Sequence, residues 1–108
     1  MKSKVNLLLC CLLAAGVVLL TSAAKAEGDA AATYKAKCAM CHGPDGKGET
    51  PTGKAMKVRS LTSDEVKKES DAELTGIIVK GKGKMPAYDK KLTDDQIKDL
   101  VKFIRSLK

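Results

Sequence analysis

From residue 29 onward, apolar positions recur every three or four residues, the spacing that stripes one face of a helix, and no stretch shows the period-2 alternation of a half-buried strand. Ala30, Tyr34 and Cys38 stand four apart, which predicts a helix over about 29–38 with Asp29 as its cap. A second helix is expected to start at Ser70, where the Ser70 hydroxyl and the Glu73 carboxylate are spaced to cap each other's backbone N–H groups. Leu74, Ile77 and Ile78 form its apolar stripe, and Gly81 and Gly83 end it. The same reciprocal box, Thr93 with Gln96, opens a third helix. Asp94 and Asp95 lie there at the positive end of the helix dipole, and Ile97, Leu100, Val101, Ile104 and Leu107, broadened by Phe103, make a long apolar face. A short turn or helix is expected over 62–68, and Gly43-Pro44-Asp45-Gly46-Lys47-Gly48 reads as loop. The fold class is therefore all-α, with three main helices, the first and last crossing so that Tyr34 meets Leu100 and Phe103.

The N-terminal pattern is different. Lys2 and Lys4 precede an apolar run over 5–20, broken only by Asn6, and small residues lead to Ala24-Lys25-Ala26. Basic start, apolar centre and A-x-A end, in that order, read as a secretory signal peptide over 1–26, cleaved to leave a domain over 27–108. An uncleaved anchor is the competing reading, since a bilayer span needs ~20 apolar residues. Cys10 and Cys11 leave with the leader. The remaining 82 residues (108 − 26) form one small domain whose ordinary side chains build only a marginal core. Tyr34, Tyr88 and Phe103 are its only aromatics and it has no Trp, a shortage that a bulky prosthetic group would fill. Loss of Lys2, Lys4 and Lys25 takes the formal charge from +7 to +4. A nucleic-acid partner is opposed by this modest charge, the scarcity of aromatics and the export leader.

Cys38-Ala39-Met40-Cys41-His42 is a C-x-x-C-H pentapeptide. Two thiols three positions apart suit addition to the two vinyl groups of a haem, and the adjacent imidazole suits the iron. A Cys38–Cys41 disulfide would leave the core short and His42 without a task. Zinc asks for four ligands where the domain offers two cysteines and one histidine, and a thioredoxin-like dithiol needs a βαβ context that is missing. A distal ligand is expected in Gly81-Lys82-Gly83-Lys84-Met85-Pro86: the glycines let backbone approach a flat ring, and Pro86 biases Met85 toward an extended conformation. Met40 and Met56, without such a loop, read as ordinary core methionines.

With these motifs the chain resembles the small class I c-type cytochromes, the short bacterial monohaem carriers and those of the plastocyanin-replacing type. The motifs are Cys38-Ala39-Met40-Cys41-His42, the loop from Gly43, Gly83-Lys84-Met85-Pro86 and Asp99-Leu100-Val101-Lys102-Phe103-Ile104. The resemblance covers the whole of 27–108. It implies one haem c, thioether-linked at Cys38 and Cys41, with His42 as proximal and Met85 as distal ligand. It also implies a loop carbonyl, for which Pro51 is the candidate, accepting from Nδ1 of His42, and Arg59 facing a haem propionate. Ala30 departs from the glycine that many relatives carry at the helix crossing.

A thioether opposite an imidazole raises the reduction potential, and a dry shell of Leu74, Ile77, Ile78, Leu100 and Ile104 favours the reduced iron further. With both axial positions filled, the expected role is a monomeric one-electron carrier and not an enzyme. Lys47, Lys54, Lys80, Lys82 and Lys84 point to redox protein partners with acidic docking surfaces. The expected compartment is the periplasm, with the thylakoid lumen as alternative and membrane attachment if the leader is retained. The rival classes are a ligand-binding or enzymatic haem protein lacking Met85 ligation, and a tethered electron-donor module of a larger assembly.

Overall fold

A computed structural model describes residues 22–108; the apolar run of the expected leader lies outside the described residues. The order is α1 (Ser22–Lys37), α2 (Ala39–His42), α3 (Pro51–Ala55), α4 (Asp64–Lys68), α5 (Asp71–Lys80) and α6 (Asp94–Ser106). No strand occurs among the described residues, only an isolated bridge between Lys82 and Met85.

α1 packs on α6, α5 packs on α6, and α2 lies between α1 and α3. The helix crossing places the Tyr34 and Phe103 rings 5.0 Å apart at 46°. Tyr34, Leu100 and Val101 share one core with Val66, Leu74, Ile78, Leu92 and Ile97. Ala30 is buried as well, so a methyl group at this crossing is accommodated.

Both expected capping boxes form. The Ser70 hydroxyl accepts from Glu73 N–H at 3.1 Å and the Glu73 carboxylate from Ser70 N–H at 2.6 Å. Thr93 and Gln96 do the same at 3.2 and 2.9 Å. α1 departs from expectation: among the described residues it already runs from Ser22, so Asp29 lies inside the helix and not at its cap. Ala23, Ala24, Lys25, Ala26 and Glu27 are strong helix formers and carry the helix past Asp29. α3 was not anticipated, although Thr50 caps it by accepting from Gly53 N–H at 2.9 Å and Pro51 occupies its first position.

Two arginines fix the segment between α4 and α5. Arg59 makes a bidentate pair with the Glu69 carboxylate at 2.6 and 2.9 Å, with Glu65 at 3.6 Å. Arg105, from the last turn of α6, donates to the carbonyls of Val66 (3.2 Å), Lys67 (3.4 Å) and Glu69 and pairs with Asp71 at 2.9 Å. It thereby satisfies the Lys67 carbonyl, which the end of α4 leaves without a helical partner, and adds a second donor to Val66 O, which already accepts from Glu69 N–H at 3.1 Å.

Candidate haem site

Cys38 is the pivot of the site. Its N–H donates to Tyr34 O at 2.8 Å, ending α1, and its carbonyl accepts from Cys41 N–H (3.2 Å) and His42 N–H (2.9 Å), starting α2. The carbonyls of the attachment turn are then occupied one by one. Thr50 Oγ1 donates to Met40 O at 2.7 Å and lies 3.2 Å from Cys41 O, Gly48 N–H donates to His42 O at 2.7 Å, and the Tyr34 hydroxyl donates to Gly43 O at 2.6 Å. The glycines of this loop serve close approach. Gly43, Gly46 and Gly48 have positive φ, and a Cβ at Gly48 would stand 2.8 Å from Val58 O. Gly53 in α3 packs backbone to backbone on Cys41 and Gly48, where any side chain would collide.

A cleft opens beside this turn. Its walls are Leu74, Ile77 and Ile78 from α5, Leu100 and Ile104 from α6, Tyr34 from α1, and Leu61, Tyr88 and Leu92 from the connecting segments; Cys38, His42, Arg59 and Met85 also reach it. All five residues of the expected dry shell are therefore present. Cys38, His42, Met85 and Arg59 come together at the cleft, whereas Cys41 and Pro51 do not line it.

Cys38 and Cys41 are both unbridged, and no cluster of three metal-binding side chains occurs among the described residues. Burial pushes the Cys38 thiol up to about 11, Lys37 opposing and Cys41 reinforcing the shift, so Cys38 is a thiol at neutral pH. Burial, then the charge of Arg59, hold the His42 imidazole below its usual value and keep it neutral, the form that ligates metal. His42 Nδ1 is buried and makes no hydrogen bond. The expected bond from His42 to the Pro51 carbonyl is thus not formed. Pro51 stands at the first position of α3, where a helical carbonyl points along the axis toward the following turn. Arg59 reaches the cleft, but Glu69 holds its guanidinium. A buried imidazole without a protein partner, the free Cys38 thiol and a methionine in one apolar cleft, with the free Cys41 thiol next to His42 in sequence, are what a thioether-linked haem requires, and the residues present fit it.

Met40 and Met56 are not core residues. Met40 is 75 % and Met56 40 % exposed, because Met40 occupies an outward position of the one-turn α2 and Met56 follows the C-terminal end of α3. Thr50, Gly53, Glu69 and Tyr88 contribute to the site without having been singled out. Thr50-Pro51 was the detectable signal among them, a cap followed by proline at the first helical position.

Residues 25–104 match the family model described as cytochrome c oxidase, cbb3-type, subunit III. Cytochrome c6 of Leptolyngbya boryana is 34 % identical over 79 residues, covering 70 % of this chain and 89 % of that protein. The solved KustC0563 c-type cytochrome superposes with a TM-score of 0.69 at 32 % identity, covering 74 % of this chain and 98 % of that one. The chain belongs to this cytochrome c family, and it is a small class I c-type cytochrome carrying one thioether-linked haem c.

Proposed function

We propose that the protein is an exported, soluble carrier of single electrons, with the haem held by thioethers from Cys38 and Cys41 and with His42 and Met85 as axial ligands. The observation that carries the reading is the meeting of His42 and Met85 in one apolar cleft, from segments that the sequence separates by the whole of α3, α4 and α5. When bound, the haem supplies one reversible redox step; the rest is the work of the chain. Leu74, Ile77, Ile78, Leu100 and Ile104 exclude water and favour the reduced state. Neutral His42 and the Met85 thioether would hold the iron between them and leave no place for a substrate. Arg59 reaches the cleft with both arms of its fork on Glu69, so it would face a propionate only by sharing or releasing that carboxylate.

Lys47, Lys54, Lys80, Lys82 and Lys84 are all exposed, which supports docking to acidic surfaces of redox partners. No helix among the described residues is long and apolar enough to cross a membrane. The match to an oxidase-subunit family favours one second reading, a module that delivers electrons within a membrane assembly. The mass of the purified chain separates the two, since a retained leader supports the module.

The test of ligation is the absorption spectrum of the exported holoprotein and of Met85→Ala. The wild type should show the weak near-infrared band of sulfur bound to ferric iron, with sharp reduced α and β peaks, and the variant should lose the band and bind carbon monoxide when reduced. A wild type with a high-spin spectrum and no such band would refute Met85 ligation and move the protein to the ligand-binding class.

A further inference from the structure

Met85 stands in a turn that has little to hold it down. Lys82, Gly83, Lys84, Pro86 and Ala87 are exposed, and only Met85 and Tyr88 face the cleft. Within the turn, Lys82 N–H donates to Met85 O at 3.2 Å and Met85 N–H to Lys82 O at 3.0 Å. Those bonds shape the turn but attach it to nothing else.

Attachment falls to Tyr88, whose polar groups reach three parts of the fold. Its N–H donates to Ile78 O of α5 at 3.0 Å, and its carbonyl accepts from Lys91 and Leu92 N–H, each at 3.0 Å. Its ring lines the cleft with the Lys91 ammonium 5.4 Å from the ring centre. Its hydroxyl donates to Lys37 O at 3.1 Å across 51 positions of sequence. Lys37 is the last residue of α1 and immediately precedes Cys38, and its carbonyl is one of those a helix end leaves without an internal partner. One side chain therefore ties the methionine turn directly to the attachment segment.

We propose that Tyr88 is a positioning residue, a latch whose hydroxyl holds the Met85 turn against the end of α1 and so limits how readily an external ligand displaces Met85. The effect on displacement rests on Met85 ligation as proposed above; the latch itself does not. A single neutral hydrogen bond of this kind is worth roughly a two- to tenfold change in the population of the opened turn.

The test compares holoprotein of wild type, Tyr88→Phe, which keeps the ring and removes only the hydroxyl, and Ser70→Ala, which removes the cap of α5 and lowers global stability without touching the turn. Two quantities are read: exchange of the Met85 and Tyr88 amides, and apparent affinity of the oxidised protein for imidazole. Tyr88→Phe is expected to speed exchange at both amides and to raise imidazole affinity roughly two- to tenfold, while Ser70→Ala leaves both near wild type. Unchanged amide protection in Tyr88→Phe would overturn the latch, as would an equal effect in Ser70→Ala, which would reduce it to general loosening. A wild type without the sulfur–iron band defeats only the ligation reading, and the amide exchange then decides the latch on its own.

Discussion

Replacing Gly53 by alanine sets two known effects against each other, and the structure decides the sign. Alanine is worth up to about 1 kcal/mol over glycine inside a helix, and Gly53 lies within α3. A Cβ built there would sit 2.5 Å from Gly48 O and nearer still to Cys41 O, both backbone atoms that no rotamer change can move. Reaching even 3.0 Å requires a displacement of at least 0.5 Å from Gly48 O (3.0 − 2.5), in a direction that presses α3 away from the haem-attachment turn. Overpacking of this kind costs about 1–3 kcal/mol, and obstruction by two carbonyls argues for the upper end. The net loss is then about 2 kcal/mol, or roughly 8–16 °C in melting temperature for a domain of this size. Thermal unfolding of the holoprotein, followed by far-ultraviolet circular dichroism, measures it. Gly76 is the internal control, because it lies in mid-α5 with nothing within 4 Å of its Cβ position. There the propensity term acts alone, and Gly76→Ala should raise the melting temperature by a few degrees. If Gly53→Ala melts at or above wild type, α3 slides freely on α2 and the close backbone approach does not constrain the attachment turn.

Other consequences are open to direct measurement. Tyr34→Phe keeps the contact with Phe103 and removes the hydroxyl donor to the Gly43 carbonyl, which still accepts from Gly46 N–H at 3.1 Å; a loss of about 0.5–1.5 kcal/mol is expected, seen as a lower urea midpoint at unchanged slope. The hydrogen bond from Arg59 holds the Glu69 carboxyl below its usual value, so its contribution to stability is complete above the unfolded value of about 4.3 and is lost as pH falls through the folded one. The stability gap between wild type and Glu69→Gln should therefore close on acidification below about pH 4, and a gap independent of pH would refute the pairing. Electron transfer to an acidic partner protein should slow with ionic strength, and slow less in a variant with Lys80, Lys82 and Lys84 changed to Gln; a flat wild-type profile would remove the steering role.

What could be read in advance was whatever the chain settles over short distances. The boxes at Ser70 and Thr93 involve residues three apart and formed as expected. The pentapeptide from Cys38 and the glycine turn before Pro86 fix local geometry in the same way, and the stripe of α6 named the helix that covers the cleft. The misreadings came where a local signal was outweighed. Asp29 has the chemistry of a cap, but the alanines before it extend the helix. Met40 and Met56 have core chemistry, but helices of four and five residues have too little buried face to hide them. Pro51 is near His42 in sequence, yet the cap at Thr50 turns the chain into α3 and directs its carbonyl along that helix. The Arg59–Glu69 pair, the Arg105 fork and the Tyr88 bond span 10, 36 and 51 positions, and their partners are backbone atoms or surface carboxylates that no periodicity marks.

The Arg105 fork has a consequence for the order in which the domain is assembled. As a growing chain emerges from its N-terminus, α1, the attachment turn and the middle helices all exist before Arg105 does. Yet α1 and α5 both bury their apolar faces on α6, and the carbonyls of Lys67 and Glu69 take their donor from the guanidinium in its last turn. The early part of the chain thus lacks the packing that stabilises its short helices, since the contacts that close the core come only with the final element. Leu100 and Ile104 of α6 form one wall of the cleft, so its apolar lining is complete only once the last helix has packed.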